Sequence, residues 1–129
     1  MRREEIRVAG LAEPISHYTD AVRAGDLLFV SGLVAVDTDG NLVGGDDVVA
    51  QARQVFDNLR QTLAAAGCSF GDVVKVTLFL TDVSDRSRIN SVRQEHFGEN
   101  RPASTLVEVS ALAVPGAKVE VEAIAVMPS

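Results

Sequence analysis

From residue 47 onward the apolar positions Val48, Ala52, Val55, Phe56, Leu59, Leu63 and Ala66 recur at three- and four-residue intervals. This spacing puts them on one stripe of an α-helix. Asp46 or Asp47 supplies the cap and Gly67 the stop. A shorter helix is predicted over residues 85–97, with Ile89, Val92 and His96 or Phe97 sharing a face and Gly98 ending it. Elsewhere the pattern is that of strands. Residues 17–24 lead through Gly25-Asp26 into residues 27–36, which reads as a hairpin. The turn residues Asp37-Thr38-Asp39-Gly40-Asn41 precede a short strand near Leu42. Residues 73–80 are rich in β-branched side chains, residues 103–109 follow Pro102, and residues 118–126 alternate Lys118, Glu120 and Glu122 with Val119, Val121 and Ala123.

The predicted order is strand pair, helix, strand, helix, strand, strand, which suits an α+β fold: a mixed sheet with both helices packed on one face. Residues 27–36 and 73–80 are apolar at nearly every position, as in strands covered on both sides. Two helices cover only one side. The simplest cover for the other, in a chain this short, is another copy of itself, so a symmetric homo-oligomer is expected.

Composition narrows the function. At 129 residues with 47% hydrophobic and 23% charged positions, the chain fits one domain over residues 1–129. Aromatics are only 5%, with no Trp, too few for the stacking platforms of single-stranded nucleic-acid binding. Twelve Lys and Arg against 18 Asp and Glu give a formal charge of -6, which repels phosphate backbones. The single cysteine, Cys68, reads as a small apolar residue after the helix, and the chain as a cytoplasmic protein. Acidic residues follow Met1-Arg2-Arg3 where a secretion signal needs an apolar core. The apolar stretch 27–36 is about half of the roughly 20 residues that span a bilayer, so no membrane role is expected.

Most familiar chemistries find no support. Ser16 and His17 are neighbours only in sequence, and two histidines with one cysteine draw no zinc pattern. No metal or organic cofactor is called for. Gly44-Gly45-Asp46-Asp47 lacks the glycine spacing and lysine of a phosphate loop and reads as a turn feeding a helix cap. His96 reads as a surface or core-edge residue. The better candidates are Glu120 and Glu122, whose Cα atoms lie about 6.6 Å apart on one face of a strand. That face is either solvated and paired with Lys118 and a neighbouring Arg, or it lines an oligomer cleft. In the second case desolvation would raise a carboxyl's pKa and let it pass protons near neutral pH.

Several motifs resemble the RidA (YjgF) family along nearly the whole chain, from about Ser16 to Val126. They are Ser31-Gly32, the run from Gln51 to Leu59, Ala64-Ala65-Ala66-Gly67, the run from Asp72 to Thr77, Asn90, Arg101-Pro102-Ala103 with Val107-Glu108-Val109, and the run from Val119 to Ala125. The resemblance implies a chorismate-mutase-like fold with a six-stranded sheet, assembled as a homotrimer with ligand clefts between subunits. Characterised members hydrolyse enamines and imines, such as 2-aminoacrylate, to keto acids and ammonia. By the same resemblance, Tyr18 matches a first-strand tyrosine that reaches into the cleft and Gly32 a glycine whose backbone lines it. Asn90 matches an asparagine of the second helix, and Glu120 the glutamate that positions water or relays a proton.

One position departs from the pattern. The deaminases have Pro-Ala-Arg followed by Ser or Thr, whereas this chain has Pro102-Ala103-Ser104-Thr105, so the arginine that clamps a substrate carboxylate is replaced by Ser104. A hydroxyl carries no charge and no planar fork of donors. A hydrogen bond to a charged group is worth about 1.5–3 kcal/mol, so its loss would weaken a small carboxylate substrate about ten- to a hundredfold. The expectation is therefore a deaminase for a substrate other than 2-aminoacrylate, such as a 2-aminomuconate-like amino-dienoic acid, with Ser104, Thr105 and Leu106 lining that side of the cleft. The rival readings are a non-catalytic trimer that binds a small metabolite, and the holdase-like or ribonuclease roles also named for the family; the net charge opposes the last.

Overall fold

The computed structural model describes residues 2–129. The apolar stripe forms α1, Val48–Ala65. Of the two candidate caps Asp47 is the one used: its Oδ1 accepts from the N–H groups of Val49 and Ala50 at 3.0 and 3.2 Å. At the other end Gly67, at φ 83°, lets the chain reverse, so that the N–H groups of Gly67 and Cys68 donate to Ala64 and Leu63. The second helix, α2, spans Arg86–Phe97 and buries Ile89, Val92 and Phe97. It starts one residue later than predicted because residues 83–85 form a separate turn, capped by Asp82 through the Ser84 N–H.

Six strands, β1 (Arg3–Ile6), β2 (Ala21–Ala24), β3 (Leu27–Leu33), β4 (Val73–Leu80), β5 (Ala103–Glu108) and β6 (Val119–Val126), form one sheet in the order β1-β2-β3-β6-β4-β5. β4 and β5 run parallel, joined by α2; the other pairs are antiparallel. The expected mixed six-stranded sheet is present, but not made of the six strands read from the pattern. The segment near Leu42 contributes only a single bridge to Val36. Its place is taken by β1, an exposed Arg-Glu-Glu edge strand that carries no hydrophobic alternation to read. β5 and β6 each fall one residue short of the predicted range, and two other strands are shorter by more. Residues 17–20 are irregular because side chains hold them: Thr19 donates to the Ile6 carbonyl at 3.0 Å, and buried Asp20 accepts from the Val8 N–H at 2.8 Å and pairs with Arg7. β3 stops at Leu33, just past an irregularity described below.

Leu28, Val76, Leu78 and Val121 on the sheet meet Phe56 and Leu59 of α1 in the core, all fully buried. Gln51 and Asn58, polar residues on the buried side of α1, tie loops to it. Gln51 donates to the carbonyls of Gly45 and Gly116 and accepts from the Lys118 N–H; Asn58 donates to those of Val34 and Val36. The opposite face of the sheet carries Leu27, Phe29, Phe79, Val107, Ile124 and Val126, and none of the described elements covers it; Phe29 is 42% exposed. The strands that read as apolar on both sides are thus half-covered in a single chain.

Candidate functional site

Between β3 and β6 the pairing passes from Val30↔Ala123 to Leu33↔Val121, so β3 advances three residues where β6 advances two. The extra residue makes a bulge at Ser31-Gly32, a device that bends a strand and re-aims its side chains. Ser31 fastens the bulge to the irregular segment before β2: its N–H donates to the Asp20 carbonyl at 3.0 Å and its hydroxyl to the Thr19 carbonyl at 2.6 Å. A cavity of about 470 Å³ opens there, lined by Tyr18, Asp20, Gly32, Asn58, Val114 and Glu120 among others.

Gly32 and Glu120 meet closely. A Cβ added to residue 32 would fall 2.9 Å from the Glu120 Cδ and nearer still to Oε2, so a side chain there would displace this carboxylate from its present place. Glu120 is half-buried and has neither a hydrogen bond nor an ion pair among the described residues. Burial pushes its carboxyl pKa up, and the Glu122 carboxylate two residues away pushes it further. The other acids near this cavity are neutralised, since the Arg7 guanidinium bridges Asp20 and Glu13. Among the described residues the cavity therefore offers an available proton acceptor and no free cation.

Tyr18 lines the same cavity, 48% exposed, but from the irregular segment and not from a strand. Asn90 does not join them. It lies on α2 at a second cavity, of about 670 Å³, with Arg93, Phe97 and Arg101. Ser104 pairs with Val76 and so faces the helix side of the sheet, where its hydroxyl accepts from Arg93 Nη2 at 2.9 Å. Thr105 faces the other way and accepts from Lys75 Nζ at 2.6 Å. Leu106 packs against the core. Ser104 and Thr105 thus stand on opposite faces of β5, and Glu120, which pairs with Phe79, lies across the sheet from Ser104. In one protomer the sequence-selected residues form two groups: Tyr18, Gly32 and Glu120 in one cavity, Asn90 and Ser104 near the other.

Sequence reasoning assigned no role to Arg93, Asp20 or Asn58. For Asn58 a signal existed, an amide set into the apolar stripe of α1; the position of Arg93 depends on how α2 lies over β5, which no local pattern carries. His96 is a core-edge residue, its ring 5.4 Å from that of Phe56 and 5.5 Å from that of Phe70. Burial raises the thiol pKa of Cys68, which makes it a poor nucleophile. Among the described residues no helix is long and apolar enough to cross a membrane.

Comparison with known proteins agrees with this architecture. The family model described as Endoribonuclease L-PSP matches residues 10–127. A RutC family protein of Pyrococcus horikoshii is 42% identical over 124 residues, 95% of this chain and 97% of its own length. The human 2-iminobutanoate/2-iminopropanoate deaminase is 35% identical over 125 residues, 96% of this chain and 90% of its own. The crystal structure of Escherichia coli TdcF with bound serine superposes with a TM-score of 0.88 at 34% identity, covering 97% of this chain and 99% of that one. With matches that run almost end to end and a mixed six-stranded sheet with two helices, the chain belongs to the RidA (YjgF) family, the family of the Endoribonuclease L-PSP model.

Proposed function

We propose that the protein is an enamine/imine deaminase that works at clefts between copies of the chain, in a cytoplasmic homotrimer. The observation that carries this reading is Glu120, a half-buried carboxylate without a hydrogen-bond or ion-pair partner among the described residues, set against Gly32 in a cavity whose other acids, Glu13 and Asp20, are paired with Arg7. Water adds to the carbon of the iminium group: the new C–O bond forms as the C=N π pair moves to nitrogen, and Glu120 takes the proton that water loses. Glu120 then returns a proton to the nitrogen, the C–N bond breaks and its electron pair leaves with ammonia, while the hydroxyl gives its proton back to the Glu120 carboxylate and becomes the carbonyl of a keto acid; that proton finally leaves with ammonia as ammonium. An enamine enters the same route after tautomerising to its imine. Tyr18 and Gly32 shape the cavity, and Asn90 and Ser104 of an adjacent copy complete it, because the sheet separates them from Glu120 within one chain.

The similarity to a human 2-imino acid deaminase supports the reaction class, and the serine bound to Escherichia coli TdcF supports a ligand of amino-acid size. For this chain we favour a longer, 2-aminomuconate-like substrate. A cavity of about 470 Å³ is much larger than a three-carbon acid, and Ser104 stands where the pattern of the deaminases that the chain resembles has an arginine. The name of the family model raises a ribonuclease reading, which a net charge of -6 disfavours.

Ammonia release from in situ generated 2-aminoacrylate, 2-iminobutanoate and a longer unsaturated amino acid, by the parent and by Glu120→Gln, tests the reading. Turnover that is highest on the longest substrate and lost in the variant is the expected result. A parent that binds these acids without releasing ammonia would leave the alternative, a metabolite-binding trimer.

A further inference from the structure

We propose that Arg93, held in place by Ser104, is the carboxylate-binding group of this site, so that a guanidinium from α2 takes over the anion contact that β5 does not provide. This rests on the proposed cleft between copies, and it names which residue grips the acid there.

Four observations lead to it. Among the described residues the Tyr18–Glu120 cavity holds no free cation, because Arg7 is engaged by Glu13 and Asp20, so an acidic substrate needs its positive charge from elsewhere. Arg93 is half-buried, and no carboxylate among the described residues pairs with it, whereas on the same helix Arg88 pairs with Asp85. Burial without an opposing charge lowers its pKa, as expected for a cation awaiting an anion. Its one side-chain hydrogen bond, from Nη2 to the Ser104 hydroxyl at 2.9 Å, uses one of five N–H donors and ties the group to β5. The free donors remain in the fork geometry that grips a carboxylate at two points.

The location is consistent. Arg93 and Asn90 are three residues apart on α2 and line one cavity, so an amide and a guanidinium lie on neighbouring turns of the helix. Arg101 lines the same cavity, as does Glu99. Arg101 is exposed and follows the helix on an irregular segment, where nothing fixes its fork. Ser104 acquires a definite task. It is a positioning residue: an arginine at residue 104 would occupy the space into which Arg93 now reaches, so the two arrangements are alternatives for one function.

The test uses 2-oxobutanoate, the keto acid expected from a four-carbon imine, titrated calorimetrically into the parent and three variants whose oligomer mass matches the parent's. Arg93→Met is expected to weaken binding about ten- to a hundredfold, the range for losing a charged hydrogen bond. Arg101→Met should change it less than threefold. Adding Ser104→Arg to Arg93→Met should restore most of the affinity, which recovery of a merely structural contact would not do. Unchanged binding by Arg93→Met, an equal loss in Arg101→Met, or no detectable binding by the parent would each overturn the assignment. Ammonia release is measured separately: a parent that binds the acid through Arg93 but turns over no imine leaves this assignment standing and removes the deaminase reading.

Discussion

The carboxylate of Glu120, on β6, fills the space beside the β3 bulge that a side chain on residue 32 would need. The absence of a Cβ at Gly32 is therefore what admits the proposed proton-transfer group to the cavity. Gly32→Ala forces either the carboxylate or the bulge to move. Ammonia release is expected to fall by at least tenfold, while circular dichroism and oligomer mass remain those of the parent. Full activity in this variant would show that Glu120 need not sit where it does.

Glu120 is also expected to cost stability. Its carboxyl pKa is raised in the folded protein, so the folded state holds this proton more tightly than the unfolded chain, and stability falls as pH rises from the ordinary carboxylate value through the raised one. Above the raised value the whole of that loss is present. Glu120→Gln should therefore melt at a higher temperature than the parent at pH 7 while having lost deamination, and the difference should vanish below the ordinary carboxylate range. Equal melting temperatures at both pH values would contradict the burial of this group.

The acid limb of the activity profile reports the same carboxyl. As the acceptor of a proton from water, Glu120 must be ionised, so the rate should fall as pH drops through its raised pKa. Part of the elevation comes from the Glu122 carboxylate, and Glu122→Gln should move the limb to lower pH without changing the plateau. A limb that stays in place assigns the titration to another group.

The apolar face that carries Phe29 should be where copies of the chain meet. Light scattering of the parent is expected to give three times the 13.7 kDa chain mass. Phe29→Lys places a charge where Phe29 is 42% exposed in the protomer, and should yield monomers without deamination, because Glu120 and Ser104 then remain on opposite faces of one sheet. A parent that stays monomeric at micromolar concentration would remove the shared cleft.

Asn58→Ala tests how the cavity wall is held. It removes the donors to the Val34 and Val36 carbonyls, at 3.2 and 3.0 Å, and leaves those acceptors beside a buried gap. The expected loss is about 1–3 kcal/mol in denaturant unfolding, together with weaker ligand binding. A variant as stable as the parent would mean that the segment after β3 does not depend on this amide.

The amino-acid sequence determined what local periodicity can encode. The stripe from Val48 to Ala66 with Asp47 and Gly67 specified α1 with its cap and stop. Alternation around Glu120 specified β6 and put two carboxylates on one face. The apolar runs called for a covered second face. Tertiary structure decided the rest, because the rest depends on contacts between residues distant in sequence. β1 has no hydrophobic pattern and exists by pairing with β2. Asp20 ends the regular part of β2 because Arg7 and Val8 lie against it. The close approach of Gly32 and Glu120 comes from a one-residue slip between two strands far apart in the chain. The meeting of Arg93 with Ser104 depends on the angle at which α2 crosses the edge of the sheet, and neither residue signals its partner through spacing or composition.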